Sequence, residues 1–456
     1  GAVLRGFGEP SVQFVIPYFQ RPYRWDAARA GKLLEDIIAH MDSHSDDSSY
    51  FFLGNVFLRS TSDGGIGQAT LFDILDGQQR MTTLMIILAA IRHRASQLHD
   101  NAPEAQKRAL ESLVNQVRDL LVTVEYGQAG EENVRPRLLV RPSDATFFNR
   151  WITSVKNEFK EALTAHKGNE ELDGARLCVH LVATKIHTVL LRDGKFGTYV
   201  QLKQLLEHLL KRCAIGATVL CGLVSDEQSR VFFLSINDTA LQLSEADKLK
   251  VYLLTSVQDV EERDASMNEW EFLDDKLRAF KRMAPSGGAT GHTWRDGFDN
   301  LLFCYMQIEQ ALEHDETSVG WQRYMYESMR MQDKSMKVSN ASPLLVQITR
   351  RGRAYYAFLT GDIRLASTDA ALIALLESDA MEALTSECNV LLCILGKFTP
   401  SLLKCCFHGV VIHIIDRAVR NSSLQEGLTI LRRTLRVLIA CLLSFMFSSR
   451  QVADKR

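Results

Sequence analysis

Leu71-Phe72-Asp73-Ile74-Leu75-Asp76-Gly77-Gln78-Gln79-Arg80-Met81-Thr82-Thr83-Leu84 holds a change of period. Ala69 to Leu75 reads as a strand. Met81 to Leu98 then places Leu84, Ile87, Leu88 and Ile91 on one face at helical spacing. The stretch therefore predicts a strand handed directly to a helix through an Asp-Gly turn. That junction has chemical meaning, because the first N–H groups of a helix lack intrahelical partners and its dipole is positive there. A glycine just before it lets an anion approach the backbone.

Working outward, Tyr50 to Arg59 is a second strand-like run, and Asp63-Gly64-Gly65-Ile66-Gly67 between the two predicts a hairpin. Upstream, Ser11 to Pro17 is rich in Val, Phe and Ile and reads as a strand, which Pro17 and Pro22 turn into a loop. Trp25 to His40 carries Ala28, Leu33, Leu34, Ile37 and Ile38 at helical spacing. Downstream, Arg135 to Val140 is a short strand. The remainder reads as helices over 145–159, 177–190, 199–210, 227–236, 244–257 and 269–282. Pro285 and the glycines near it mark a linker, and the chain beyond it is again helical.

The expected fold is thus α+β, a small mixed N-terminal core followed by a large all-helical region. We assign residues 1–125 to the core, 126–283 to a helical extension completing a pocket, and 292–456 to an all-helical C-terminal domain.

The 456 residues are 46% hydrophobic and 24% charged, with a formal net charge of -2. Each domain can bury a core, and no bulk positive field draws the chain to nucleic acid. The nine cysteines fall mostly in apolar helical stretches, which suits buried thiols in a reducing compartment. Cys388, Cys393, Cys405, Cys406, His408 and His413 do not have zinc-site spacing, so core packing is the reading there. The longest apolar run, Val437 to Leu443 extended to Phe447, falls far short of the ~20 residues a membrane span needs, and it reads as a buried helix.

Candidate binding residues gather around the junction. Arg80 can take a phosphate bidentately, Gln78 and Gln79 can hold a ribose, a water or a phosphate oxygen, and Asp76 can coordinate Mg2+ beside the phosphates. Gln20, Arg21 and Arg24 form a second cluster among aromatic rings in Ile16-Pro17-Tyr18-Phe19-Gln20-Arg21-Pro22-Tyr23-Arg24-Trp25. Rings and guanidiniums there suit a nucleotide. Equally, the rings can pack on the hairpin.

These two motifs, with Phe52-Leu53-Gly54 between them and Val231 to Asn237 continuing to Asp247 and Lys250, resemble the N-terminal domain family of GmrSD-type restriction enzymes. The resemblance covers about residues 10 to 260. It implies a ParB/sulfiredoxin-like core that binds, and often hydrolyses, nucleoside triphosphates. Gln20 and Arg21 would then face phosphates, Asp76 a metal or water, and Gln78, Gln79 and Arg80 the triphosphate. Asn237 and Lys250 would close the pocket from the helical side.

Two departures matter. Ala240 stands where the family has a glycine, which predicts weak or vestigial triphosphatase activity. The C-terminal half shows scattered histidines such as His292 and His314 but no paired His, Asn and His arrangement, so we expect no nuclease in this chain.

The chain also resembles, in length and in its helical C-terminus, the kinetoplastid mitochondrial guide-RNA-associated proteins. That likeness implies recognition of an RNA 5′-triphosphate, a related partner subunit in a heterodimer, and a mitochondrial address with its presequence removed. Basic clusters for an RNA track are Arg135, Arg137 and Arg141, then Arg350, Arg351 and Arg353, and Arg432, Arg433 and Arg436. Each is also readable as a solvated face. The alternative is a triphosphate-binding or hydrolysing subunit of a bacterial cytoplasmic DNA restriction system, acting with a separate nuclease.

Overall fold

The computed structural model describes residues 3, 12–43, 49–61, 70–126, 132–153, 174–220, 232 and 245–283, with isolated residues at 345–346, 348–350, 352–353, 356 and 433. The chain divides into two compact units, Gly1–Leu243 and Ser244–Arg456.

The first unit is built on a mixed sheet. Its strands are β1 (Gln13–Val15), β2 (Phe51–Ser60), β3 (Leu71–Asp76), β6 (Leu138–Leu139) and β7 (Cys213–Leu220), in the order β6-β1-β3-β2-β7. β1 runs parallel to both β3 and β6, β2 is antiparallel to β3, and β7 is parallel to β2. The hairpin register is pinned by an ion pair, since Arg59 stands directly opposite Asp73 and both side chains are almost fully buried. A separate ribbon pairs β4 (Val122–Tyr126) with β5 (Glu132–Pro136).

α1 (Ala27–Ser43) follows the proline loop, and α2 (Gln78–Asp100) leaves β3 through Gly77. Gly77 is the N-cap, with φ 91°, a left-handed conformation in which glycine costs least. A Cβ there would stand 2.7 Å from Val56 Cγ1. The Asp-Gly step is thus demanded twice, by the turn and by the closeness of β2. From Met81 to Ile91 every residue of α2 is buried, so the helix is the axle of the core. Each such Leu, Ile or Met contributes about 1.5–3 kcal/mol on burial.

Around that axle pack α3 (Glu104–Leu121), α4 (Pro142–Thr153), α5 (Gly174–Leu191) and α6 (Tyr199–Lys211). α3 is amphipathic, burying Leu110, Leu113, Val117, Leu120 and Leu121. α6 begins at a capping box in which Thr198 and Gln201 satisfy each other's backbone N–H. The structure adds a strand within the region assigned to the helical extension, between the helices expected over 199–210 and 227–236: Cys213-Ala-Ile-Gly-Ala-Thr-Val-Leu220 forms β7 beside β2. A short apolar run without alternation has no period to separate strand from helix, and pairing with β2 decides it.

In the second unit α7 (Glu245–Ser256) and α8 (Val260–Met283) are described. Lys250 Nζ donates to Glu271 Oε1 at 2.5 Å, with both side chains buried. Arg353 pairs with Glu269. No helix among the described residues is long and apolar enough to cross a membrane.

Candidate functional site

The loop Pro17–Trp25 and the head of α2 are tied together side chain by side chain. Gln79 Oε1 accepts the backbone N–H of Arg24 at 2.7 Å and of Trp25 at 3.2 Å, while its Nε2 donates to Pro22 O at 2.9 Å. Gln20, 1% exposed, donates from Nε2 to Ile74 O at 2.6 Å and to Leu75 O at 2.8 Å. Thr83 Oγ1 donates to Gln79 O, which leaves the Tyr23 hydroxyl as donor to Thr83 Oγ1 at 2.7 Å. Burial raises the Tyr23 phenol well above its ordinary pKa, keeping that donor protonated.

Two residues expected to hold phosphate are thereby corrected. Gln20 spends its amide N–H groups, and Gln79 its whole amide, on backbone groups whose burial makes an unmade hydrogen bond costly. They fasten the loop that carries Arg21 and Arg24 to the strand and helix that carry Asp76 and Gln78.

Arg80 turns toward β2. Its Nη1 donates to Asn55 O at 2.7 Å, and its guanidinium lies on Gly54, where a Cβ would stand 2.8 Å from Arg80 Cζ. Gly54 has φ 100° and sits where the β2–β7 register shifts, so the irregularity in the strand makes room for the arginine. Burial lowers the Arg80 pKa, with Asp76 opposing and Arg29 adding to the effect. The group stays a cation at neutral pH. Asp76 is half-buried at the end of β3. Among the described residues no group of three or more His, Cys, Asp or Glu could hold a metal ion. A Mg2+ at Asp76 would draw most of its oxygens from phosphates and water, the usual habit of that ion.

On the other side of the α2 head lies a shallow, solvent-open cleft whose enclosed volume is only ≈ 20 Å³. Its polar lining is Arg21, Gln78, Arg141, Asp144 and Arg176, and its apolar walls include Ile16, Phe147 and Val179. First turns of three helices meet there: Gln78 opens α2, Arg141 immediately precedes α4, and Arg176 is the third residue of α5. Three arginines and one aspartate thus line a recess at the starts of three helices, where an anion is favoured over a cation. The Arg141 side chain, 4% exposed, is held by Asp144, whose Oδ2 accepts from Arg141 Nε at 3.1 Å and from its Nη2.

Of the expected residues, Arg21 and Gln78 line this cleft, Arg80, Asp76 and Gly77 stand at the same helix head, and Arg24 contributes its backbone. Asn237 lies outside the described residues, as does Arg351. Lys250 is corrected to a buried ion pair with Glu271 inside the second unit, so its charge is spent there. Arg137 is also corrected. It is 3% exposed and donates to Val12 O, Asp119 O and Val122 O, sewing α3 and β4 to the start of β1, so it cannot lie on a surface RNA track. Arg135 is exposed on β5, and Arg350 and Arg353 are half-buried.

Sequence reasoning missed Asp144, Arg176 and the cleft role of Arg141. Arg141-Pro142-Ser143-Asp144 did carry a signal, since Pro at the first helical position followed by Asp in the first turn marks a helix start. Arg176 carries none, being about a hundred residues from the motif with no local pattern of its own.

Fold and cleft together define the class: a mixed α+β domain whose central buried helix opens, through an Asp-Gly turn, onto an arginine-lined recess. A family model described as the GmrSD restriction endonuclease N-terminal domain matches residues 4–254, more than half of the chain, and the chain belongs to that family. No curated protein matches it. The family match bears out the first resemblance and lends no support to guide RNA, RNA editing or a mitochondrial address.

Proposed function

We propose that the chain binds a nucleoside triphosphate at the head of α2 and serves as the nucleotide-handling component of a GmrSD-like restriction system, with DNA cleavage left to a separate nuclease. The observation that supports this most is the meeting of Arg21, Gln78 and Arg176 with three helix starts in one cleft, where the charge of Arg141 is already paired with Asp144. Polyanions are held by planar guanidiniums and free helix N–H groups because both present fixed donors to oxygen. Asp76 lies at the same helix head, where it would take a magnesium ion that shields phosphate charge, and Arg80, turned toward β2 on the other side of that head, would add positive potential at longer range. Membership of a restriction-enzyme family suits a bacterial cytoplasmic setting.

The test is calorimetric titration of the whole chain with a nucleoside triphosphate, the matching monophosphate, and a short RNA bearing a 5′-triphosphate, all at one salt concentration. The proposal expects saturable binding of the triphosphate and at least tenfold weaker binding of the monophosphate, since several charge-assisted hydrogen bonds are lost together. Equal affinities for triphosphate and monophosphate would overturn it. A strong preference for the RNA end over the free nucleotide would replace it with recognition of RNA termini.

A further inference from the structure

We propose that Asp144 reads the sugar of the bound nucleotide, making the cleft selective for ribonucleotides over their deoxy counterparts. This rests on the nucleotide reading above and adds the substrate class and the direction in which the nucleotide lies.

The cleft has a mainly apolar lining whose charged groups are three arginines and one carboxylate. Asp144, the third residue of α4, lines it with a side chain 20% exposed. Its Oδ2 takes both hydrogen bonds from Arg141, and among the described residues its side chain makes no other. Oδ1 is therefore an uncommitted acceptor, held in a fixed direction by a buried guanidinium. An ionised carboxylate accepts hydrogen bonds and cannot donate them. It also repels phosphate at short range.

A nucleotide entering this recess is accordingly sorted along its length. Its phosphates lie toward Arg21 and Gln78 at the head of α2, away from Asp144. Its nucleoside lies toward α4, where the half-buried Phe147 supplies apolar surface for a base. Oδ1 then needs a donor. Ribose hydroxyls are donors that every ribonucleotide carries, whereas the N–H groups of bases differ from one base to another. Carboxylate recognition of a ribose hydroxyl beside a helix-bound phosphate is an established solution in dinucleotide-binding folds. Here a helix start at Gln78 and an acceptor-only carboxylate at Asp144 stand in one cleft on unrelated elements.

Affinities of the whole chain for ATP, GTP, CTP and UTP, and for the 2′-deoxy and 3′-deoxy analogue of each, test this. The unaltered chain is expected to bind the ribonucleotides about five- to tenfold more tightly than at least one deoxy series, the loss of one hydrogen bond, with the same ratio for all four bases. Asp144→Asn keeps the shape and can hold Arg141 through its carbonyl, but turns an amide donor toward the sugar. Its ratio should fall to near one. Asp144→Ala should do the same, and affinity for the sensitive deoxy series should change little in either variant.

Failure to bind any nucleotide would sink the nucleotide reading itself. Tight binding of ribo and deoxy forms alike would overturn only the sugar assignment. So would discrimination by base alone, or a ribose preference that survives in a folded Asp144→Asn protein.

Discussion

Gln79 and Gln78 are neighbours in one motif and do opposite things. Gln79 faces the Pro17–Trp25 loop and satisfies three of its backbone groups. Gln78, one residue earlier and so about 100° around the helix, faces the cleft with Arg21 and Arg176. The same division runs through the loop, where Gln20 is locked onto β3 and Arg21 lines the cleft. One face of the junction is fastening and the other is open. The fastening face holds the backbone that carries Arg21, and a backbone already held loses less freedom when an anion arrives.

The sharpest way to break that comparison is Gln79→Ala. Two N–H groups and a carbonyl of the loop lose their partner, which should cost about 3 kcal/mol of stability as read by denaturant unfolding. Gln79→Glu keeps the acceptor for Arg24 and Trp25 and loses only the bond to Pro22, so it should cost about 1 kcal/mol. Equal losses in the two variants would mean that the loop is held by something else.

Arg21→Ala works on the other face. It should weaken triphosphate binding roughly 10- to 100-fold, the cost of about 1.5–3 kcal/mol for a charged hydrogen bond, with the unfolding midpoint nearly unmoved. A large fall in stability with intact affinity would place Arg21 with the fastenings instead.

The smallest effect is expected at Arg135, exposed on β5 in the two-stranded ribbon. Arg135→Ala should change stability and nucleotide affinity by under about 0.5 kcal/mol each, as surface substitutions usually do. A tenfold loss of affinity measured in the same titration would extend the site onto that ribbon.

Most of the core was legible because its signals are local. The hairpin of β2 and β3 shows in strand-like runs flanking a glycine-rich connection, and the strand-to-helix junction shows in a period that changes across Asp-Gly. The family resemblance rested partly on those residues and partly on the Ile16–Trp25 and Val231–Lys250 stretches. β7 stayed hidden because Cys213 to Leu220 becomes a strand through its parallel pairing with β2, a partner more than 150 residues away. The candidate site was legible in half. A motif names which residues gather, but the direction of each side chain depends on which backbone groups would otherwise go unpaired. Gln20 and Gln79 look like ligand groups until the carbonyls of Ile74, Leu75 and Pro22 are placed beside them. Arg176 had no signature at all, because folding α5 against α2 and α4 brings it to the cleft.

Arg176 is for that reason the most direct test of the central claim, that the arginine-lined cleft at the head of α2 binds the triphosphate. The measurement is the dissociation constant of the Arg176→Ala chain for a nucleoside triphosphate, with its unfolding midpoint recorded alongside. The account predicts at least tenfold weaker binding in a protein as stable as the unaltered chain. Unchanged affinity would contradict it and move the nucleotide to the Arg80 and Gly54 side of the helix.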